Sequence, residues 1–97
     1  MPFAIILAPE AIEDLKGLKA NVRAAVRAAL ETHLRHEPEK TSRSRIKQLR
    51  GLRRPQYRLR VDDIRVFYDI SGTTIEVLAI VPKSEAESWL AQFGDPE

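Results

Sequence analysis

The first part of the chain shows a strand pattern followed by two helix patterns. Residues 3–7 are apolar, and Pro9 follows closely, which is typical of a short buried strand. Apolar residues then recur every three or four positions over residues 11–18 and again over residues 22–34, as on one face of a helix. Asn21 is placed to cap the second helix. We therefore predict a strand followed by a helical hairpin.

Strand patterns dominate the second half of the chain. Residues 38–56 contain many Pro, Gly, Ser and Thr and show little periodicity, so we expect mostly loop there, with a short strand near residues 46–49. Apolar and polar residues alternate over residues 57–61 and 64–70, and residues 75–81 are mostly apolar. Because only short turns separate these three segments, they predict an antiparallel meander.

A short helix is predicted after Pro82. Ser84 is placed to cap it, with Glu87 three residues later as in a capping box, and Gly94 follows its last turn. Its inward-facing residues are expected to be Ala86, Trp89, Leu90 and Phe93. The patterns together predict an α+β fold with an antiparallel sheet of about four strands, an N-terminal helical hairpin and a short C-terminal helix.

The composition is that of one small globular domain over residues 1–97. A chain of 97 residues with 43% hydrophobic and 31% charged residues can build a single core and stay in solution. No apolar run approaches the length of a membrane span, and the start lacks a secretory pattern, so we expect a cytoplasmic protein. The chain has no cysteine, and its nearby His33 and His36 have no third ligand, so neither a metal nor another cofactor is expected.

The net charge of +2 conceals a strong asymmetry. Residues 40–65 contain ten Lys or Arg and two Asp, a net charge of +8, whereas the rest of the chain carries −6. A cationic surface on an otherwise acidic body is typical of nucleic-acid binders. The alternative is an ordinary basic face in contact with water.

Asp62 and Asp63 are suited to a two-residue turn between the first two strands of the meander. Such a turn places Arg60 opposite Arg65 and sends alternate side chains to opposite faces. The core face would carry Tyr57, Leu59, Val61, Ile64, Val66 and Tyr68, and the other face Arg58, Arg60, Arg65 and Phe67. Opposed like charges destabilise a strand pair, whereas a bound anion would reverse that effect. Phosphate is the natural ligand, unless the side chains diverge into water.

The meander also carries the most specific motif of the chain. Residues 57–68 read YRLRVDDIRVFY, followed by IEVLAIVPK at residues 75–83 and preceded by LRGL at residues 49–52. These segments and the order of elements resemble the RelE/ParE superfamily of bacterial and archaeal toxin-antitoxin toxins. The resemblance covers nearly the whole chain and implies a microbial-ribonuclease-like layout.

The resemblance also implies an activity and a partner. In the RelE branch, the toxin cleaves mRNA in the ribosomal A site without a metal, by attack of the ribose 2′-hydroxyl on the adjacent phosphate. The family further implies a cognate antitoxin protein that wraps the toxin and neutralises its basic face. No small-molecule cofactor is implied.

The resemblance assigns roles to three basic residues. Arg65 matches the family arginine that contacts the scissile phosphate, and Arg58 matches a basic residue of the preceding strand. Lys83 lies near the place where the family carries a basic residue after the last strand, and that family residue stabilises transition-state charge. These three are the candidate catalytic residues. The candidates for RNA binding are Arg45, Lys47, Arg50, Arg53, Arg54 and Arg60.

One region departs from the RelE pattern. Trp89 or Leu90 occupies the place where RelE-type enzymes carry a tyrosine or histidine, and indole has no useful acid-base function. Lys83, Glu85 and Tyr68 are left as proton acceptors, and the sequence does not choose among them. Two alternatives stay open: a ParE-like toxin that inhibits DNA gyrase without nuclease activity, and a weakly active or non-catalytic RNA-binding homologue.

Overall fold

The computed structural model describes residues 2–97, which form three α-helices and seven strands. The strands are β1 Ala4–Leu7, β2 Ile46–Gln48, β3 Leu52–Arg54, β4 Tyr57–Val61, β5 Ile64–Ser71, β6 Thr74–Pro82 and β7 Asp95–Pro96. The helices are α1 Pro9–Lys16, α2 Ala20–Ala29 and α3 Lys83–Phe93, and α2 continues into a π-helical turn, Leu30–Leu34. The predicted α+β class and the predicted meander are confirmed.

The main sheet has five strands in the order β1-β6-β5-β4-β2. β4, β5 and β6 form the antiparallel meander, and β2 adds antiparallel to β4. β1, however, pairs in parallel with β6, so the predicted antiparallel sheet of about four strands is a mostly antiparallel, mixed sheet of five. β1 and β6 are far apart in the sequence, and the strand pattern of β1 carries no signal for the partner or direction of this pairing.

The helical hairpin covers one face of this sheet. Its buried residues are Ala11, Leu15, Val26, Leu30 and Leu34. They pack against side chains from the meander, namely Leu59, Val61, Ile64, Val66, Tyr68, Ile75, Val77 and Ile80. This cluster is the larger of the two hydrophobic cores, and it contains the core face that the alternation in β4 and β5 predicts.

α3 covers the other face with a smaller core. Phe67 and the β6 residues Ala79 and Val81 are buried there, and Trp89 stacks on Phe67 with ring centroids 5.0 Å apart and planes 6° from parallel. A register shift in the β5–β6 pairing next to Phe67 accompanies the change of faces along β6. Phe93, predicted to face inward, is instead 58% exposed, because α3 lies on the sheet only through its earlier turns.

Both predicted helix caps are wrong. α2 begins at Ala20, so Asn21 lies inside its first turn and caps nothing. α3 begins at Lys83 with Pro82 as its N-cap residue, because β6 runs directly into the helix, and the predicted capping box of Ser84 and Glu87 does not form. Along residues 2–97, no helix combines the length and apolarity needed to cross a membrane.

A second sheet of two strands lies where the sequence predicted loop. β3 pairs antiparallel with β7, so the segment between β2 and β4 is joined to the C-terminal end of the chain. The prediction of a strand at residues 46–49 is confirmed by β2, but β3 was missed. β3 and β7 are remote from each other in the sequence, so their pairing depends on contacts made by the folded chain.

Tyr68 joins the sheet to the loop that follows the helical hairpin. It is fully buried, and its hydroxyl donates a hydrogen bond of 2.7 Å to the carbonyl oxygen of Pro38. Its ring stacks on that of Tyr57, with centroids 5.5 Å apart. Burial raises the pKa of the Tyr68 hydroxyl far above its ordinary value, so this group stays protonated as a donor.

We predict that Tyr68→Phe lowers the free energy of unfolding by roughly 1–2 kcal/mol, because the buried Pro38 carbonyl loses its donor while the ring packing is retained. Urea denaturation of the purified protein measures this change. Tyr57→Phe is the matched control, since the Tyr57 hydroxyl forms no hydrogen bond with residues 2–97. Equal stabilities of the two variants would contradict the prediction.

Candidate functional site

The hairpin of β4 and β5 has the predicted register. Val61 lies opposite Ile64 and Arg60 opposite Arg65, with Asp62 and Asp63 in the turn. Asp62 has a positive φ of 51°, which aspartate tolerates better than most residues. Because side chains alternate along both strands, this register sends the apolar residues to the larger core and leaves the arginines on the α3 side.

A cleft of about 900 Å³ opens on that side, between the sheet and the beginning of α3. We name it the cationic cleft after the four basic residues that line it: Lys47, Arg58, Arg65 and Lys83. Two carboxylate residues, Asp63 and Glu87, also line the cleft, and Phe67 and Leu90 contribute apolar surface. The cleft therefore joins all three predicted catalytic residues and one predicted RNA-binding residue, with an excess of positive charge.

Arg65 is held in a fixed orientation by the turn. Its side chain is 7% exposed, and its Nη1 atom donates to the carbonyl oxygens of Asp62 at 2.8 Å and Ile64 at 3.1 Å. The carbonyl oxygen of Asp63 accepts a hydrogen bond of 2.7 Å from the Lys83 backbone N–H. The same two-residue turn thus orients Arg65 and anchors the first residue of α3.

Arg58 lies between like charges in a partly dehydrated position. Burial, followed by the charges of Arg65 and Arg60, lowers the pKa of its guanidinium. Its Nε atom is buried and has no hydrogen-bond partner among residues 2–97. A buried donor without an acceptor is destabilising, and a guanidinium remains charged in proteins. Both facts favour an anion as the missing partner.

The four basic side chains of the cationic cleft form no salt bridge within the described part of the chain. Arg54, a predicted RNA-binding residue, is different. Its Nε atom lies 3.0 Å from Oδ2 of Asp69, and its Nη2 atom lies 2.6 Å from Oε1 of Glu76. Arg54 does not line the cleft, and its charge is already balanced by two carboxylates.

The remaining predicted RNA-binding residues lie outside the cationic cleft. Arg45 lines a smaller cavity with His33, where burial and the Arg45 charge lower the pKa of the imidazole. Arg50 and Arg53 line two further surface cavities. Arg60 is exposed beside Arg58 on the same face of β4. These four residues extend the basic surface beyond the cleft.

Two of the three proton acceptors that the sequence leaves open, Tyr68 and Glu85, lie outside the cleft, and so does Trp89. Tyr68 lies in the larger core and donates to Pro38, and Trp89 stacks on Phe67. Glu85 lies on α3 but does not line the cleft. Sequence reasoning instead missed Asp63 and Glu87 as cleft residues. Glu87 follows Lys83 by four residues, a spacing that puts both on one face of a helix.

No group of three or more His, Cys, Asp or Glu side chains within residues 2–97 is arranged to hold a metal ion.

Comparison with known proteins identifies the family. The family model of the ParE toxin of the type II toxin-antitoxin system parDE matches residues 5–87. The chain belongs to this toxin family. No curated protein matches its sequence. The predicted membership of the RelE/ParE superfamily is confirmed, so the protein is a toxin of a type II toxin-antitoxin system.

Solved RelE structures share the fold of the toxin. The RelB-RelE antitoxin-toxin complex from Methanococcus jannaschii has a TM-score of 0.65 and 19% identity, covering 87% of this chain and 96% of that chain. The toxin-antitoxin complex RelBE2 from Mycobacterium tuberculosis has a TM-score of 0.62 and 25% identity, covering 84% and 99%. A mutant of the E. coli toxin RelE in the free state has a TM-score of 0.67 and 18% identity, covering 92% of each chain.

We predict that Arg54→Ala destabilises the toxin by roughly 1 kcal/mol at neutral pH, a typical size for exposed ion pairs. Asp69 and Glu76 lie directly opposite each other on β5 and β6, so removing Arg54 leaves two opposed like charges without their shared cation. Arg53→Ala is the control, because it removes the same charge from the neighbouring exposed residue, which forms no ion pair within residues 2–97.

The deficit of Arg54→Ala should also depend on pH. Burial raises the pKa of Asp69 above its ordinary value, and Arg54 partly opposes this effect. The stabilisation from Arg54 is therefore present at neutral pH and is lost as pH falls through the folded-state pKa of Asp69. Thermal unfolding at several pH values measures the deficit. A deficit that stays constant into the acidic range would show that the carboxylates are not its cause.

Proposed function

We propose that the toxin binds RNA phosphates in the cationic cleft and cleaves messenger RNA on the ribosome, without a metal ion. The observation that carries this proposal is the convergence of Lys47, Arg58, Arg65 and Lys83 in one open cleft without salt bridges among residues 2–97. The four cations outnumber the two carboxylates of the cleft, so an excess of positive charge remains until an anion binds, and RNA supplies that anion as phosphate.

The arrangement suits the reaction that the RelE resemblance implies. As the ribose 2′-hydroxyl attacks phosphorus, negative charge develops on the non-bridging oxygens of the phosphate. Arg58 and Arg65 would stabilise that charge, and Lys83 would stabilise the leaving 5′ oxygen. Arg65 is already oriented by two carbonyl groups, so it would not have to reorganise during the reaction.

The basic residues outside the cleft favour a substrate that is larger than a free oligonucleotide. Arg45, Arg50, Arg53 and Arg60 are all exposed. They lie outside the cleft, which itself has room for only a few nucleotides, given its volume of about 900 Å³. Contacts with ribosomal RNA would use this outer surface, while the scissile phosphate occupies the cationic cleft.

We further propose that a cognate antitoxin protein binds the toxin and neutralises its basic face. The solved complexes from M. jannaschii and M. tuberculosis, which share the fold, each contain a toxin with its antitoxin. The place of action that follows from the proposed substrate is the cytoplasm, where ribosomes translate messenger RNA.

Expression of the toxin alone in bacteria should arrest growth and produce mRNA breaks at codons in the ribosomal A site. Arg58→Ala should reduce these breaks at least tenfold, because it removes a cation whose buried Nε lacks a partner. Primer extension on a reporter message measures the breaks. Arg27→Ala is the control: it removes the same charge from an exposed position on α2 that does not line the cleft.

The same experiment separates the proposed function from its rival. A second candidate, inhibition of DNA gyrase, is favoured by the match to the ParE family model and by the lack of a Tyr or His among the described residues that line the cleft. Growth arrest with DNA damage and intact messages would support that function. Binding of RNA without any cleavage would identify a non-catalytic homologue.

A further inference from the structure

We propose that Glu87 accepts the proton of the attacking 2′-hydroxyl. This inference rests on the proposed ribonuclease function and adds the proton acceptor that the departure from the RelE pattern leaves missing. Arginines cannot take this role, because a guanidinium keeps its proton at neutral pH. Of the acceptors that the sequence leaves open, Glu85 and Tyr68 do not line the cationic cleft, and Lys83 is needed as the proton donor to the leaving oxygen. The acceptor is then one of the two carboxylates of the cleft.

Glu87 has no structural role that would occupy its carboxylate. The capping box with Ser84 does not form, because α3 begins at Lys83 with Pro82 as its N-cap residue. Glu87 forms neither a hydrogen bond nor a salt bridge with any of residues 2–97. Its neighbour Glu85, by contrast, lies in the first turn of the helix, where the helix dipole favours an acidic residue.

The position of Glu87 on α3 directs it toward the cleft. The α3 residues that line the cleft include Lys83, Ala86, Glu87 and Leu90. Their spacing of three and four residues defines one face of the helix. Glu87 lies in the middle of this face, between the cation at its beginning and the apolar surface at its end, whereas Glu85 lies outside it.

Asp63 is the other carboxylate of the cationic cleft, but its position is peripheral. It belongs to the β4–β5 turn and also lines a separate cavity of about 230 Å³ with Asn21 and Val22 of α2. Asp63 thus lies at the boundary between two cavities on opposite sides of the hairpin. Glu87 lines only the cationic cleft among the cavities described here for residues 2–97.

The proton and bond changes balance without a co-reactant. The Glu87 carboxylate takes the proton from the 2′-hydroxyl as the bond between O2′ and phosphorus forms. The bond between phosphorus and O5′ breaks, and O5′ takes a proton from the Lys83 ammonium group. The products are a 2′,3′-cyclic phosphate and a 5′-hydroxyl. Exchange of protons with water then restores Glu87 and Lys83.

The test compares Glu87→Gln with the wild-type toxin on purified ribosomes programmed with a defined message. Single-turnover cleavage by Glu87→Gln should be slower by roughly 10²–10⁴-fold, the usual contribution of general acid-base catalysis. Binding of an RNA oligonucleotide that lacks the attacking 2′-hydroxyl should stay equal or become tighter, because a negative charge leaves a cationic cleft. Glu85→Gln is the matched control and should cleave within twofold of wild type.

A pH profile distinguishes a catalytic group from a structural one. The wild-type rate should fall on the acidic side as an essential carboxylate is protonated, and this limb should be absent in Glu87→Gln. If the wild-type toxin cleaves and Glu87→Gln cleaves at the same rate, the inference about Glu87 is wrong while the proposed function stands. The same holds if Glu87→Gln is slower only because it binds RNA more weakly. A wild-type toxin that leaves the message intact would overturn the proposed function itself.

Discussion

The register of the β4–β5 hairpin is the constraint on which the rest of the structure depends. With Asp62 and Asp63 in the turn, every second side chain of both strands enters the larger core, and the basic side chains face α3. A slip of one residue would exchange these faces and bury the arginines in the core. At this turn, the carbonyl oxygens of Asp62 and Ile64 accept hydrogen bonds from the Arg65 guanidinium. The Asp63 carbonyl oxygen accepts one from the first backbone N–H of α3. One short turn therefore orders the core, one cation and the helix that forms the opposite wall of the cleft.

The aromatic contact between Phe67 and Trp89 completes this arrangement. It fixes α3 on the sheet beside the arginines, so the cleft has one wall of strand and one wall of helix. The Trp89 ring serves packing in the smaller core. The residues of α3 therefore have two different roles. Trp89 holds the helix on the sheet, while Lys83 and Glu87 on the adjoining face line the cleft.

The parts of the structure that the sequence predicts are those decided by local chemistry. Alternation along β4 and β5 and a turn of two aspartates are sufficient to give the register, and hence the shared face of Arg58 and Arg65. Pairings between distant segments have no local signal. The parallel direction of β1, the short strand β3 and the ion pairs of Arg54 with Asp69 and Glu76 all depend on where the folded chain brings remote residues. For the same reason, counting basic residues along the chain could not separate Arg58, which lacks a partner, from Arg54, which has two.

The most direct test of the central claim is to observe these two arginines while an RNA ligand binds. Nitrogen-proton NMR spectra resolve arginine Nε–H groups, and a trinucleotide without 2′-hydroxyl groups at its cleavable position provides phosphates that cannot be cut. We expect the Arg58 Nε–H signal to shift during the titration and to return as salt is added, whereas the Arg54 signal stays in place. An unchanged Arg58 signal with a bound trinucleotide would contradict it.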